Sequence, residues 1–271
     1  MVKRSSGIKW SLFRKRVFRI IVISILLILL LIYICFNDPI HYIATEGWKN
    51  PCDKLSYLSL NSNTLFLGDL HIKGYYEERF KGIRSFILEN NVSNLILVGD
   101  VFDNPEIYYN LREELGSDKA IIYRLLEILD IEDLKLNIYF ILGGASHDPQ
   151  DISINITINN ISFQTVGKCL RIKIYNHKII ATHGDIIVSG PFSFVISRIF
   201  NKPLFEELLR SVFNIDKDTW VIMGHTHNPI IDYKSKVANT GGWTKTPILQ
   251  PPTKRGILVT REGVMLVKVG S

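Results

Sequence analysis

The sequence predicts an α/β fold built on a mainly parallel sheet. Short apolar runs end repeatedly in a glycine followed by an acid or a histidine, as in Thr64-Leu65-Phe66-Leu67-Gly68-Asp69-Leu70-His71. Amphipathic helical stretches separate these runs at the spacing of βαβ units. A chain of 271 residues is long enough for one large domain with a full core and an appendage.

The first element is not part of that sheet. Residues 1–19 carry Lys3, Arg4, Lys9, Arg14, Lys15, Arg16 and Arg19 and no acid, and residues 20–36 are uncharged and almost wholly apolar. That length lies at the short end of the roughly 17 to 25 residues that span a bilayer. A cleaved signal peptide or a buried core helix are the alternatives. No small-x-small cleavage site follows Phe36, and a core helix rarely stays apolar on every face. The expectation is an uncleaved N-terminal transmembrane helix, with the basic N-terminus cytoplasmic and the rest outside. Setting those seven basic residues aside leaves 25 of the 32 Lys and Arg against 26 acids. The net charge of +6 therefore belongs to the N-terminus, and no nucleic-acid partner is expected, because such a partner needs basic charge clustered on the folded domain.

Residues 37–60, with Pro39, Gly47 and Pro51, read as a juxtamembrane linker, and 61–271 as the domain. After the 64–71 strand, Tyr75 to Asn90 places Phe80, Ile83, Phe86 and Ile87 at helical spacing, and Asn94-Leu95-Ile96-Leu97-Val98-Gly99-Asp100 is a second buried strand. Residues 117–135 predict another amphipathic helix, and Leu136 to Leu142 a third strand that runs into Gly143-Gly144-Ala145-Ser146-His147-Asp148. From Asp151 to His177 apolar and polar residues alternate, the period of antiparallel strands. A further strand, Lys178 to Thr182, delivers His183-Gly184-Asp185. Residues 191–214 are helical in texture, interrupted by Pro203 and rich in Phe, and read as core helix in preference to a substrate cap. Trp220 to Met223 leads to Gly224-His225-Thr226-His227, and Ile257–Thr260 with Val264–Val269 form a hairpin.

Five strand ends thus offer Asp69 with His71, Asp100 with Asp103, His147, His183, and His225 with His227. Strands lying side by side bring these ends together, and so many acid and imidazole groups in one place call for a cation. Their number exceeds what one ion needs, so the economical expectation is two divalent ions bridged by a carboxylate.

The order Gly68-Asp69-x-His71, Gly99-Asp100-x-x-Asp103, x-x-His147-Asp148, His183-Gly184-Asp185, Gly224-His225-x-His227 resembles the calcineurin-like metallophosphoesterase family over about residues 64–230. The resemblance implies a four-layer α/β/β/α sandwich holding two divalent metal ions (Mn, Fe, Zn or Mg). It implies that Asp69, His71, Asp100 and His227 hold the first ion, that Asp100 bridges, and that His183 and His225 hold the second. It makes His147 the general acid or transition-state contact, with Asp103 orienting it. The family's third motif carries an Asn ligand where this chain has Ser146, so Ser146 is expected to ligate through its hydroxyl or to leave a water there. The alternative is a non-catalytic binding module on the same fold. Asn239-Thr240-Gly241-Gly242-Trp243 and the His-Gly-Asp triplet look most like the UDP-2,3-diacylglucosamine pyrophosphatase branch; the usual Arg of that branch's third motif is His147 here. The implied activity is a membrane-anchored phosphoesterase acting on a phosphorylated small molecule or a lipid-linked substrate.

Two weaker signals concern compartment. Asn91-Val92-Ser93, Asn155-Ile156-Thr157 and Asn160-Ile161-Ser162 are glycosylation sequons. Of the three cysteines, Cys35 lies in the apolar segment, which leaves Cys52 and Cys169 as a possible external bridge.

Overall fold

The computed structural model describes residues 16–30, 32–33, 50–53, 55, 57–188, 190–245 and 251–270. Residues 16–30 form helix α1, and its apolar side chains, Ile20 to Leu30 among them, are exposed. The expected span of residues 20–36 extends beyond the described residues. Among the described residues, no helix is long and apolar enough to cross a membrane.

The domain is a mixed α/β structure with two sheets. In the larger sheet the strands are ordered β13 (Val264–Lys268), β12 (Arg255–Val259), β2 (Asn63–Leu67), β3 (Val92–Val98), β4 (Leu136–Ile141), β6 (Ile161–Thr165) and β5 (Asn155–Ile158). β2, β3, β4 and β6 run parallel, with antiparallel partners at both edges. In the smaller sheet the order is β1 (Leu58–Leu60), β7 (Cys169–Ile174), β8 (His177–Thr182), β9 (Trp220–Met223), β11 (Val237–Asn239) and β10 (Ile230–Asp232).

Apolar side chains divide into three clusters that set the layering. On the outer face of the larger sheet, Ile83 and Ile87 of α2 (Ile83–Glu89), Tyr108 of α3 (Pro105–Leu115), and Ile121, Leu125 and Leu126 of α4 (Asp118–Ile128) pack on Leu95, Leu97 and Phe140. Between the sheets, Phe66, Ile96 and Ile141 meet Ile172, Ile179 and Ile222. On the outer face of the smaller sheet, Phe205 and Leu209 of α6 (Leu204–Val212) pack on Ile180, Val221 and Met223. α6 follows α5 (Gly190–Phe200) across a short turn at Pro203.

Several expectations are corrected in extent. The 75–90 helix is a 3-10 turn (Glu78–Phe80) followed by α2, split at Gly82, whose φ of 102° no continuous helix accommodates. Residues 117–135 form the shorter α4, capped by the Ser117 side chain. α3 was not anticipated; Asn104 caps it and Pro105 opens it. Of the linker expected over 37–60, residues 37–49, 54 and 56 lie outside the described residues; Leu58–Leu60 is β1, paired in parallel with β7, and Cys52 is bonded to Cys169 with Cα atoms 5.3 Å apart. The bridge is buried in the cluster under α6.

Candidate metal centre

Register brings the polar strand ends together. β2 and β3 are parallel with Leu67 opposite Leu97, so Asp69 and Asp100 emerge side by side. β8 and β9 are parallel with Thr182 opposite Met223, so His183 and His225 do the same from the second sheet. Lateral bonds continue past the strands: Asp69 N donates to Gly99 O (3.1 Å), His71 N to Asp100 O (3.0 Å) and Gly224 N to His183 O (3.2 Å).

The result is two adjoining groups. The ligand atoms of Asp69, His71 and His227 lie within 4.8 Å of one another, as do those of Asp100, His183 and His225. His227 Nε2 is 3.2 Å from Asp69 Oδ1, and His183 Nε2 is 3.2 Å from Asp100 Oδ1. His71 and His227 stack with centroids 5.2 Å apart, and His183 meets His225 edge-on at 5.0 Å. Asp69, His71, Asp100, His225 and His227 all have φ between 47° and 65°, a left-handed conformation that residues other than glycine rarely adopt. Such clustering marks a centre held in place by its surroundings.

Charge inside the centre is uneven. Burial pushes Asp69 well above the usual carboxylate range, against the pull of His183. For Asp100 burial acts in the same upward sense, but the charge and hydrogen bond of His183 outweigh it and hold the group well below that range. Burial lowers His183, yet Asp100 lifts it to about 10. Burial brings His71 and His225 down to about 4 and lowers His227 well below its usual value, so these three rings are neutral at neutral pH.

The residues fit divalent cations. His71 Nε2 is buried without a hydrogen-bond partner, and buried polar atoms are rarely left so. The mixed nitrogen and oxygen donors suit zinc, manganese or iron. His183 donates Nδ1–H to Val98 O (3.0 Å), which leaves Nε2 facing the centre.

Three expected residues take somewhat different places. His147 Nε2 lies 3.7 Å from Asp100 Oδ2, and its Nδ1 donates to the Asp103 carbonyl (2.7 Å). Asp103 therefore orients His147 through its main chain, while its carboxylate lies 3.7 Å from His71 Nδ1. Ser146 is exposed at the rim of the loop after β4. A Cβ on Gly144 would lie 3.5 Å from its Oγ, 3.9 Å from Asp100 Oδ1 and 4.0 Å from Asp185 Oδ2.

Several further residues brace the centre. Asp148 accepts from Val101 N (2.9 Å), Phe102 N (3.2 Å) and Gly143 N (2.7 Å), tying two ligand-bearing loops together. Arg79 donates to His71 O and Trp243 O and pairs with Glu77; Trp243 N in turn donates to Asp69 O (3.0 Å). Lys168 donates to Gly143 O and lies 3.6 Å from Asp185. Asn239 bonds Gly224 O (2.6 Å) and Glu206 Oε1 (2.8 Å). Asp148, Asp185, Asn239 and Trp243 stand in the motifs quoted above, whereas Arg79, Lys168 and Glu206 stand in none of them.

No protein-family model matches the chain, and no curated protein matches it. Among solved structures, the chain is similar to Vps29 complexed with zinc from Entamoeba histolytica, at 15% identity over 75% of this chain and 89% of that one, TM-score 0.43. It is similar to Vacuolar Protein Sorting 29 from Cryptosporidium parvum, at 16% identity over 77% and 96%, TM-score 0.42. The nuclease MPE from Pseudomonas putida shares 13% identity over 75% and 87%, TM-score 0.38.

Proposed function

We propose that the chain is a metal-dependent phosphoesterase of the calcineurin-like type, hydrolysing a phosphoester or pyrophosphate bond. The observation that carries this reading is the pair of adjoining groups, Asp69/His71/His227 and Asp100/His183/His225, with Asp100 in contact range of His183 and His147. When bound there, two divalent ions supply Lewis acidity toward phosphoryl oxygens and an activated water. The chain's own residues do the rest. Asp100 is the bridging carboxylate of the proposal, fixed by the Gly144 N–H at 3.0 Å. His147, held by the Asp103 carbonyl, presents Nε2 on the Asp100 side, where its protonated form gives a proton to the leaving oxygen.

The proposal also places the domain outside the cytoplasm, tethered by the apolar N-terminal segment. The buried Cys52–Cys169 bridge supports an oxidising compartment, and Asn91, Asn155 and Asn160 are exposed, as glycan acceptors must be. A surface-bound enzyme suits a phosphorylated small molecule or lipid-linked substrate, the UDP-diacylglucosamine type among them.

The exposure of Ser146 favours the second reading, a binding module without turnover. Metal analysis and a phosphoester panel on the full chain separate the two. Asp100→Asn should lose both ions and at least about a thousandfold in kcat, the several kcal/mol that such ions supply at about 1.4 kcal/mol per tenfold. Wild-type protein that loads metal and cleaves nothing would establish the binding module instead.

A further inference from the structure

The helical layer over the smaller sheet ends in a feature that the metal centre does not use. At the turn between α5 and α6, Arg198, Ile199, Phe200, Asn201 and Lys202 are all exposed, Ile199 at 72% and Phe200 at 59%. Two adjacent bulky apolar side chains projecting into water between two cations form an arrangement suited to a lipid surface: the apolar pair enters the headgroup boundary while the cations meet lipid phosphates. The turn belongs to a helix whose other end reaches the centre. The Phe194 ring lies 6.4 Å from that of His227, and Asn228 Nδ2 donates to Ser197 O (3.3 Å). The six residues from Phe194 to Phe200 rise only about 9 Å along a helix.

The same chain carries a second exposed apolar surface, α1, which begins beside Arg16 and Arg19 and has no charge from Ile20 to Leu30. The roughly 20 residues between α1 and Asn50 extend at most about 70 Å, so whatever membrane α1 enters lies within reach of the domain.

We propose that the α5–α6 turn docks on an anionic lipid bilayer, with Ile199 and Phe200 in the headgroup boundary and Arg198 and Lys202 on phosphates. Docking there turns the rim beside His227 toward phosphoesters held in that surface. The docking stands independently of the hydrolase reading, whereas the substrate orientation rests on it.

The test uses the full chain in lipid nanodiscs, with Cys35→Ser so that a single introduced cysteine takes an environment-sensitive dye. A probe at Phe200→Cys should shift to the blue and be quenched by spin-labelled lipid in nanodiscs containing phosphatidylserine. A probe at Leu88→Cys, exposed on the helical layer of the other sheet, should do neither. Arg198→Gln with Lys202→Gln should reduce the quenching at 200 several-fold. For turnover, Ile199→Asp with Phe200→Asp should raise KM about tenfold for a bilayer-held phosphoester and leave kcat/KM for a soluble chromogenic phosphodiester unchanged. A probe at 200 that stays in water in anionic nanodiscs overturns the proposal, and equal quenching in uncharged bilayers overturns the role of the two cations. Docking without hydrolysis of either substrate would leave the docking standing and remove the enzymatic reading.

Discussion

Reduction of the Cys52–Cys169 bridge should cost the domain a large part of its stability, and the size follows from where the cysteines lie. The bridge closes a loop of 117 residues. On the chain-entropy account, releasing a loop of that length frees the unfolded chain by about 5 kcal/mol. Reduction adds only two hydrogens to sulfurs already packed beside Ile180, Val221 and Met223, so it removes little native packing. The expected loss is therefore about 3 to 5 kcal/mol, against a typical total of about 5 to 15. It is read as the drop in urea midpoint of the full chain in detergent, with and without dithiothreitol, at equal slope. The effect should reach the metal centre as well. Lys168, next to Cys169, accepts from Thr182 Oγ1 through its carbonyl (2.8 Å) and holds Gly143 O with its ammonium; Thr182 precedes His183. Weakened binding of the second ion should accompany reduction. Unfolding free energies, midpoint times slope, that agree to within about 0.5 kcal/mol would refute the reasoning, as would alkylation of both thiols in protein never exposed to reductant.

Other expectations concern individual side chains. Glu206 is buried with Oε2 unpartnered, and burial raises its carboxyl from 4.5 to about 7. The folded state then holds a proton that the unfolded state releases, so this group's contribution to stability falls as pH rises from about 4.5 to 7. Over that window the change is on the order of 3 kcal/mol. Glu206→Gln keeps the acceptor for Asn239 and should flatten the fall, seen in urea midpoints at pH 5 and pH 8; parallel profiles would contradict it. Arg79→Gln should weaken the first ion by about tenfold or more while sparing the second, because Arg79 braces the His71 and Trp243 carbonyls. Arg79→Lys should restore part of that affinity, and calorimetry with each variant is the check. Ser146→Ala should leave metal stoichiometry at two, whereas Ser146→Asn should tighten the second ion if the loop seats the amide at the Asp100 side.

Much of the centre was legible because it is punctuated in one dimension. Each candidate ligand follows a buried strand by one to four residues, and parallel register converts that regular punctuation into proximity. The hairpin of β12 and β13 was legible for a similar reason, since a turn at Glu262-Gly263 separates two apolar runs. What escaped was held by main-chain or distant contacts. Arg79 acts through two carbonyls, one of them 164 residues away, and Asp103 acts through its own carbonyl. Neither leaves a pattern in residue type. β10 and β11 are only three residues each, too short to show a period. The charged α3, with Tyr108 its one buried residue, had too weak an apolar stripe to stand out.

The left-handed backbone at Asp69, His71, Asp100, His225 and His227 bears on how this protein would fare under selection. Each such residue holds a conformation that glycine or asparagine adopts more comfortably, at a cost of order 1–3 kcal/mol. The centre is thus a store of easy stabilising substitutions, all of which discard a carboxylate or an imidazole. A library screened for solubility or heat resistance alone should accumulate glycine or asparagine at these five positions before it improves the apolar layers. Copies of this chain under no selection at the centre should drift the same way, keeping two well-packed sheets around an emptied rim.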